Sequence, residues 1–235
     1  RSQRANAFGG AHHQHLDRAE AVSATHQGAL VQLLDEGGAE RCLTARHQVV
    51  QQVHEPQVVV QVDEPGLSAV LDGRVRTPSG RGALRAPELS EVVAGLAAVR
   101  TSAQNAGAVA TLAHTCAAAV PFDALRRAGF TGVALDVALV GQDADEERGA
   151  WWEAGGFVVL GLVPSSRGAD VRDSTSDSLA RAVTGLWGRI GFGMADVGQR
   201  TWLSPACGLA GAAPTWAREV GALMRGAARM LEAAD

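Results

Sequence analysis

A regular alternation of strand-like and helix-like segments fills the chain from residue 57 onward, and it limits the fold more than any other feature. Short β-branched runs stop at polar residues or at a proline, and stretches with apolar residues at helical spacing follow them. About five such βα units succeed one another over residues 57–233. Strands that alternate with helices of this length indicate a parallel sheet, either open and doubly wound or closed into a barrel.

Glycine, proline and acidic residues mark the boundaries of these units. The predicted strands are residues 58–63, 109–116, 132–136, 157–164 and, with its turn, 201–208. The predicted helices are residues 87–105, 122–128, 143–154, 178–190 and 214–234.

Side chains with metal-binding or acid–base chemistry fall at the carboxyl ends of four of these strands. They are Asp63, His114, Cys116, Asp136 and Cys207. Active sites of α/β barrels are built at this face from several strands, whereas an open sheet binds its ligand at one switch point. No glycine-rich phosphate loop follows any predicted strand. The sequence therefore predicts the α/β class and a (βα)8 TIM-type barrel, of which about five units are present.

The same side chains predict a metal site. His114 and Cys116 are two residues apart on one predicted strand, so they share a face. With Cys207 and one carboxylate, for which Asp136 is the nearest acid at a strand end, they offer one nitrogen, two sulfurs and one oxygen, a set that suits zinc. Each residue alone is more often a packed core residue than a ligand, so the prediction depends on all four together.

Composition excludes several classes of partner. The net charge of -4 and the pI near 6.0 leave no basic patch for nucleic acid. No apolar run is long enough for a membrane span and no signal peptide begins the chain, so we expect a cytoplasmic protein without a membrane partner. Three cysteines, Cys42, Cys116 and Cys207, are too few for a disulfide framework and are expected to be free thiols or ligands.

Residues 1–56 differ from the predicted barrel portion, residues 57–235. They contain six of the seven histidines, and they show little apolar periodicity. We expect this segment to be disordered or helical, with a helix over residues 19–34. The cluster of His12, His13 and His15 has no cysteine or acid spaced to complete a site, so we interpret it as a solvated tail.

Four stretches resemble, in order and approximate spacing, the C-terminal catalytic barrel of cobalamin-independent methionine synthase, within the uroporphyrinogen-decarboxylase and methionine-synthase superfamily. They are Val-Gln-Val-Asp-Glu-Pro-Gly-Leu at 60–67, His-Thr-Cys at 114–116, the strand ending at Asp136, and Leu-Ser-Pro-Ala-Cys-Gly-Leu at 203–209. The resemblance implies zinc held by His114, Cys116 and Cys207, with Asp136 where the family has glutamate. It also implies that Asp63 receives the amino group of homocysteine, and Gln61, on the same face of its strand, is assigned to the substrate site with it.

The resemblance further implies a methyltransferase of methionine biosynthesis. Zinc would lower the pKa of the homocysteine thiol, a small-molecule substrate, and the thiolate would take a methyl group from methyltetrahydrofolate. The chain departs from the family in two ways. No histidine follows near Val163, where the family has its general acid, and residues 1–56 lack strands that could replace the first three of the barrel. A truncated chain, an altered reading frame and a partner that supplies the missing segment would each explain the second departure.

Two alternative functions stay open. A non-catalytic remnant would bind zinc and thiol without turnover, which fits the missing histidine. A related barrel methyltransferase would use a donor other than folate, such as a corrinoid. The predicted zinc ligands argue against a decarboxylase, which needs arginines for carboxylates and no metal.

Overall fold

The computed structural model describes residues 21–24, 29–34, 57–166 and 174–233, and its centre is a seven-stranded sheet whose strands lie in chain order. The last five strands run parallel, each paired with the next, as the alternating pattern predicts. The strands are β1 (Ala21–Ala24), β2 (Ala29–Leu34), β3 (Gln57–Asp63), β4 (Ala108–Thr115), β5 (Gly132–Asp136), β6 (Phe157–Val163) and β7 (Thr201–Pro205). This parallel sheet is that of an incomplete TIM-type barrel.

Helices connect the parallel strands, and the five predicted helices are present with ends that differ by about two residues at most. Two further short helices, Leu67–Leu71 and Met194–Val197, lie in segments where no helix was predicted. The helices are α1 (Leu67–Leu71), α2 (Leu89–Asn105), α3 (Phe122–Arg127), α4 (Asp145–Glu153), α5 (Ser176–Arg189), α6 (Met194–Val197) and α7 (Pro214–Glu232). None of the helices in the described ranges is long and apolar enough to cross a membrane.

The parallel strands bury both faces, as their near-continuous apolar sequences require. On one face, the main core joins alternate strand residues to the helices, and it includes Trp151, Trp152 and Trp187. On the other face, one residue from each of β3, β4, β5 and β6 forms a small apolar layer: Val59, Leu112, Ala134 and Val159. Because side chains alternate along a strand, this layer lies on the same face as the polar residues at the strand ends.

The helix predicted over residues 19–34 is wrong. The structure has β1 and β2 there, paired with each other in antiparallel register, and β2 pairs antiparallel with β3. The apolar run at Ala29–Leu34 fits a helix or a strand, and pairing with the β-branched β3 selects the strand. Residues 1–56 therefore contain strands, but the two described ones pair antiparallel, whereas neighbouring strands of a (βα)8 barrel pair parallel.

Several predictions for the first segment concern residues outside the described ranges. They include the interpretation of His12, His13 and His15 as a tail, and the free thiol of Cys42.

Candidate metal centre

Parallel pairing brings the carboxyl ends of β3, β4, β5 and β6 to one edge of the sheet. Asp63 of β3 lies beside His114 of β4, and Asp136 of β5 lies beside Gly161 of β6. The pairing continues one residue beyond β7, because the backbone N–H of Ala206 donates to the carbonyl oxygen of Val163 at 2.8 Å. Cys207 therefore enters the same edge from the far side of the sheet.

Three of the predicted metal ligands converge here. The Nε2 atom of His114 lies 2.7 Å from Sγ of Cys116 and 3.8 Å from Sγ of Cys207. All three donor atoms lie within 4.8 Å of one another, a spacing at which they can hold one ion. His114 is buried and both cysteines are half-buried, so the group is only partly accessible to solvent.

The Sγ atoms of Cys116 and Cys207 are in contact as a disulfide pair, whereas the sequence predicted free thiols or ligands. Their Cα atoms are 7.1 Å apart, which is beyond the range of about 4.4–6.8 Å that disulfides usually span. Two thiolates that share an ion need no such close approach of the backbone. The backbone separation therefore suits the two cysteines as ligands of a common metal.

The donor set fits zinc. One imidazole and two thiolates are the soft and borderline ligands that zinc prefers, and three protein ligands leave a position for a substrate. Burial lowers the pKa of His114, although the negative charges of Asp63 and Asp136 act in the opposite direction. A lowered pKa keeps the imidazole neutral near pH 7, so that its nitrogen lone pair is available to a metal.

Asp136 is outside the group of three that share close donor atoms in the described part of the chain. Its Oδ1 accepts a hydrogen bond of 2.9 Å from the backbone N–H of Ala138, just beyond the end of β5. The carboxylate is near enough to His114 for its negative charge to act on the pKa of the imidazole. Its role as the fourth ligand stays a prediction.

The predicted substrate residues lie next to the three donors. Gln61 is buried, and its Nε2 donates a hydrogen bond of 2.9 Å to Oδ1 of Asp63, which confirms that the two side chains share a face. The next residue, Glu64, donates its backbone N–H to the carbonyl oxygen of His114 at 2.9 Å. This hydrogen bond joins β3 and β4 at the point where both carry site residues. Burial, and then the charge of Asp63, raise the pKa of Glu64.

Two residues that support the site were not predicted. Gly161 lies under the turn that carries Cys207: a Cβ atom there would lie 2.7 Å from Cα of Ala206 and 2.8 Å from the carbonyl oxygen of Leu135. An isolated glycine within a strand is the pattern that indicates such close approach. Ser68 of α1 donates its hydroxyl to the carbonyl oxygen of Ala119 at 2.5 Å, which ties the loop after Cys116 to the core.

The end of β6 carries no histidine. The strand ends at Val163, and the carbonyl oxygen of Pro164 accepts a hydrogen bond of 3.3 Å from Nε1 of Trp216 on α7. Within the described ranges, His114 is the one histidine. No described histidine is therefore available as a general acid beside the metal ligands.

Comparison with known proteins agrees with this geometry. A search of curated proteins finds no match to the chain. The family model described as "Cobalamin-independent synthase, Catalytic domain" matches residues 34–230. The match starts within the segment 1–56 that the sequence set apart, and the domain boundary at residue 57 stays a prediction. Because the match covers most of the chain and includes all the strand ends described above, the protein belongs to the cobalamin-independent synthase family.

Proposed function

We propose that this chain is a zinc-dependent methyltransferase that transfers a methyl group to the thiol of homocysteine in methionine biosynthesis. One observation carries the proposal: His114, Cys116 and Cys207 converge from β4 and the end of β7 on one point at the carboxyl edge of the sheet. Family membership supports a methyltransferase-like enzyme, and the donor set supports the metal. A cytoplasmic location is part of the proposal, since thiol ligands must stay reduced.

In this proposal, the chain's own residues hold and orient the reactants. His114, Cys116 and Cys207 hold the ion, with Asp136 as the fourth ligand in the absence of substrate. Zinc held by these residues would lower the pKa of a thiol that binds beside them. Asp63 accepts the ammonium group of homocysteine in a charge-assisted contact, which points the thiol toward the three donors.

The methyl donor in the proposal is methyltetrahydrofolate. Its amine leaving group must be protonated, and no described histidine occupies the end of β6 to do so. This observation favours a second candidate, in which the chain binds zinc and thiol but does not turn over with folate. A corrinoid methyl donor is the third arrangement, because it transfers its methyl group without protonation of an amine.

Metal analysis and a methyl-transfer assay test these candidates. We expect about one zinc per purified chain, lost in Cys116→Ser and Cys207→Ser and retained in Cys42→Ser as a matched control. Absence of zinc from the unmodified protein would refute the proposal. Methionine formed from homocysteine and labelled methyltetrahydrofolate supports the first candidate. Methionine formed only from methylcobalamin supports the corrinoid donor, and zinc binding without product supports the second candidate.

A further inference from the structure

The contact between Gln61 and Asp63 assigns a role to Gln61 that differs from direct substrate binding. Gln61 is 9 % exposed, and Asp63 is more exposed at the end of the strand. The Nε2 atom of Gln61 donates to Oδ1 of Asp63 at 2.9 Å. The amide thus lies one layer below the carboxylate, between it and the apolar layer that contains Val59 and Leu112.

We propose that Gln61 is a positioning residue that fixes the carboxylate of Asp63 for the ammonium group of a thiol-containing amino acid. This inference rests on the proposed function, because it concerns the same substrate. An aspartate side chain at a strand end has several rotamers, and a hydrogen bond from a buried amide selects one of them. The neutral amide does this without a positive charge that would compete with the ammonium group.

The charges around Asp63 make a neutral donor important. His114 lies beside it on β4, and Glu64 follows it on β3. Asp136 on β5 adds a second carboxylate charge near His114. Among the described residues, no arginine pairs with Asp63. No described arginine therefore competes with the ammonium group for this carboxylate, and Gln61 supplies its orientation.

Binding of two ligands of nearly equal size distinguishes a positioning role of Gln61 from a packing role. Homocysteine carries the α-ammonium group, and 4-mercaptobutanoate lacks it but keeps the thiol and the carboxylate. Calorimetric titration of the zinc-loaded full chain measures both affinities at neutral pH. We expect Gln61→Met, which keeps the length of the side chain but donates no hydrogen bond, to weaken homocysteine binding by about three- to tenfold. The affinity for 4-mercaptobutanoate and the zinc content should not change.

A double-mutant cycle tests whether Gln61 acts through Asp63. Asp63→Asn removes the charge that the ammonium group needs, and we expect it to weaken homocysteine binding by about tenfold or more. In that background, Gln61→Met should have no further effect. Gln61→Glu keeps the shape but repels the neighbouring carboxylate, so it should weaken homocysteine binding at least as much as Gln61→Met.

The outcomes distinguish this inference from the proposed function. Equal weakening of both thiols in Gln61→Met, or effects of Gln61→Met and Asp63→Asn that simply add, would overturn the positioning role and leave the function standing. Unchanged homocysteine affinity in Gln61→Met would do the same. An unmodified protein that contains zinc but binds neither thiol would refute the function, and the positioning role with it.

Discussion

Gly161 separates the strand that carries Asp136 from the turn that carries Cys207. A methyl group at this position would meet the backbone of Ala206 at 2.7 Å and the carbonyl oxygen of Leu135 at 2.8 Å. Both contacts are with backbone atoms, which cannot rotate away as a side chain would. The strand or the turn must therefore shift, which changes the position of Cys207 relative to His114 and Cys116.

We predict that Gly161→Ala weakens zinc binding by about tenfold, as the loss of outer support commonly does at metal sites. Competition with a chromogenic zinc chelator measures the change. Gly185→Ala is the control, because nothing lies within 4 Å of the added methyl group at that position. Zinc affinity in Gly161→Ala equal to that of Gly185→Ala would show that the turn tolerates the displacement.

Substitutions of Asp136 test whether this residue is the fourth metal ligand. Its carboxylate accepts a hydrogen bond from the N–H of Ala138, and its side chain is one methylene shorter than that of glutamate. We predict that Asp136→Glu slows zinc loss to a chelator, since the longer side chain reaches the three donors more easily. Asp136→Ala should accelerate that loss by about tenfold or more. Equal rates in all three proteins would mean that Asp136 is not a ligand.

At the scale of elements, Asp145 of α4 pairs both with a buried arginine of its own helix and with Arg189 of α5. The guanidinium of Arg148, whose side chain is 1 % exposed, contacts Oδ1 of Asp145, and Nε of Arg189 lies 3.3 Å from Oδ2 of the same carboxylate. Burial, and then the charge of Arg189, lower the pKa of Arg148 to about 10. Its Nε and Nη1 atoms have no hydrogen-bond partner in the described part of the chain. The negative charge of Asp145 therefore offsets the cost of burying the Arg148 guanidinium.

We predict that Asp145→Asn lowers the free energy of unfolding by about 3 kcal/mol, because it leaves the charge of Arg148 buried without its counter-ion. Arg148→Met should change that free energy by less than about 1 kcal/mol, since the packed volume is kept and the desolvated charge is removed. The double variant should resemble Arg148→Met. Urea unfolding of the four proteins measures the coupling, and additive effects would contradict the role given to the pair.

How far the sequence predicted these elements depends on whether their causes are local. The five parallel strands and the five longer helices were predictable because apolar periodicity, glycines and prolines all act within each segment. The strand Ala29–Leu34 was not, since its pairing with β3 is a contact between segments. The short helix Leu67–Leu71 was missed because it lies between Pro65 and a glycine-rich loop, with too few residues to show a period.

The site follows the same rule. The convergence of His114, Cys116 and Cys207 was predictable, because the carboxyl ends of parallel strands must meet at one edge. The orientation of the Asp136 carboxylate was not, since the N–H of Ala138 competes for it. A contact between Gln61 and Asp63 was predictable because the two residues share a face of β3. The donor, the acceptor and the length of the hydrogen bond were not.

At the scale of the whole molecule, the candidate metal ligands come from distant parts of the parallel sheet. Cys116 and Cys207 are 91 residues apart in sequence, and the strands β5 and β6 lie between the ends that they occupy. β7 pairs only with β6 among the described strands, so one of its sides has no neighbouring strand. A bound ion would therefore hold the last strand and its turn to β4, across the intervening sheet.

We predict that removal of the metal lowers the melting temperature of the whole chain. At a free zinc concentration of a hundred times Kd, binding to the folded state alone stabilises it by about 2.7 kcal/mol, which corresponds to roughly 5 to 10 °C for a chain of this size. Scanning calorimetry with and without a chelator measures the shift, in a reducing buffer that prevents a Cys116–Cys207 disulfide from replacing the metal. Cys207→Ser should melt at the lower temperature in both buffers, because it cannot close the centre. If the chelator leaves the melting temperature of the unmodified chain unchanged, the ion does not link β4 to β7.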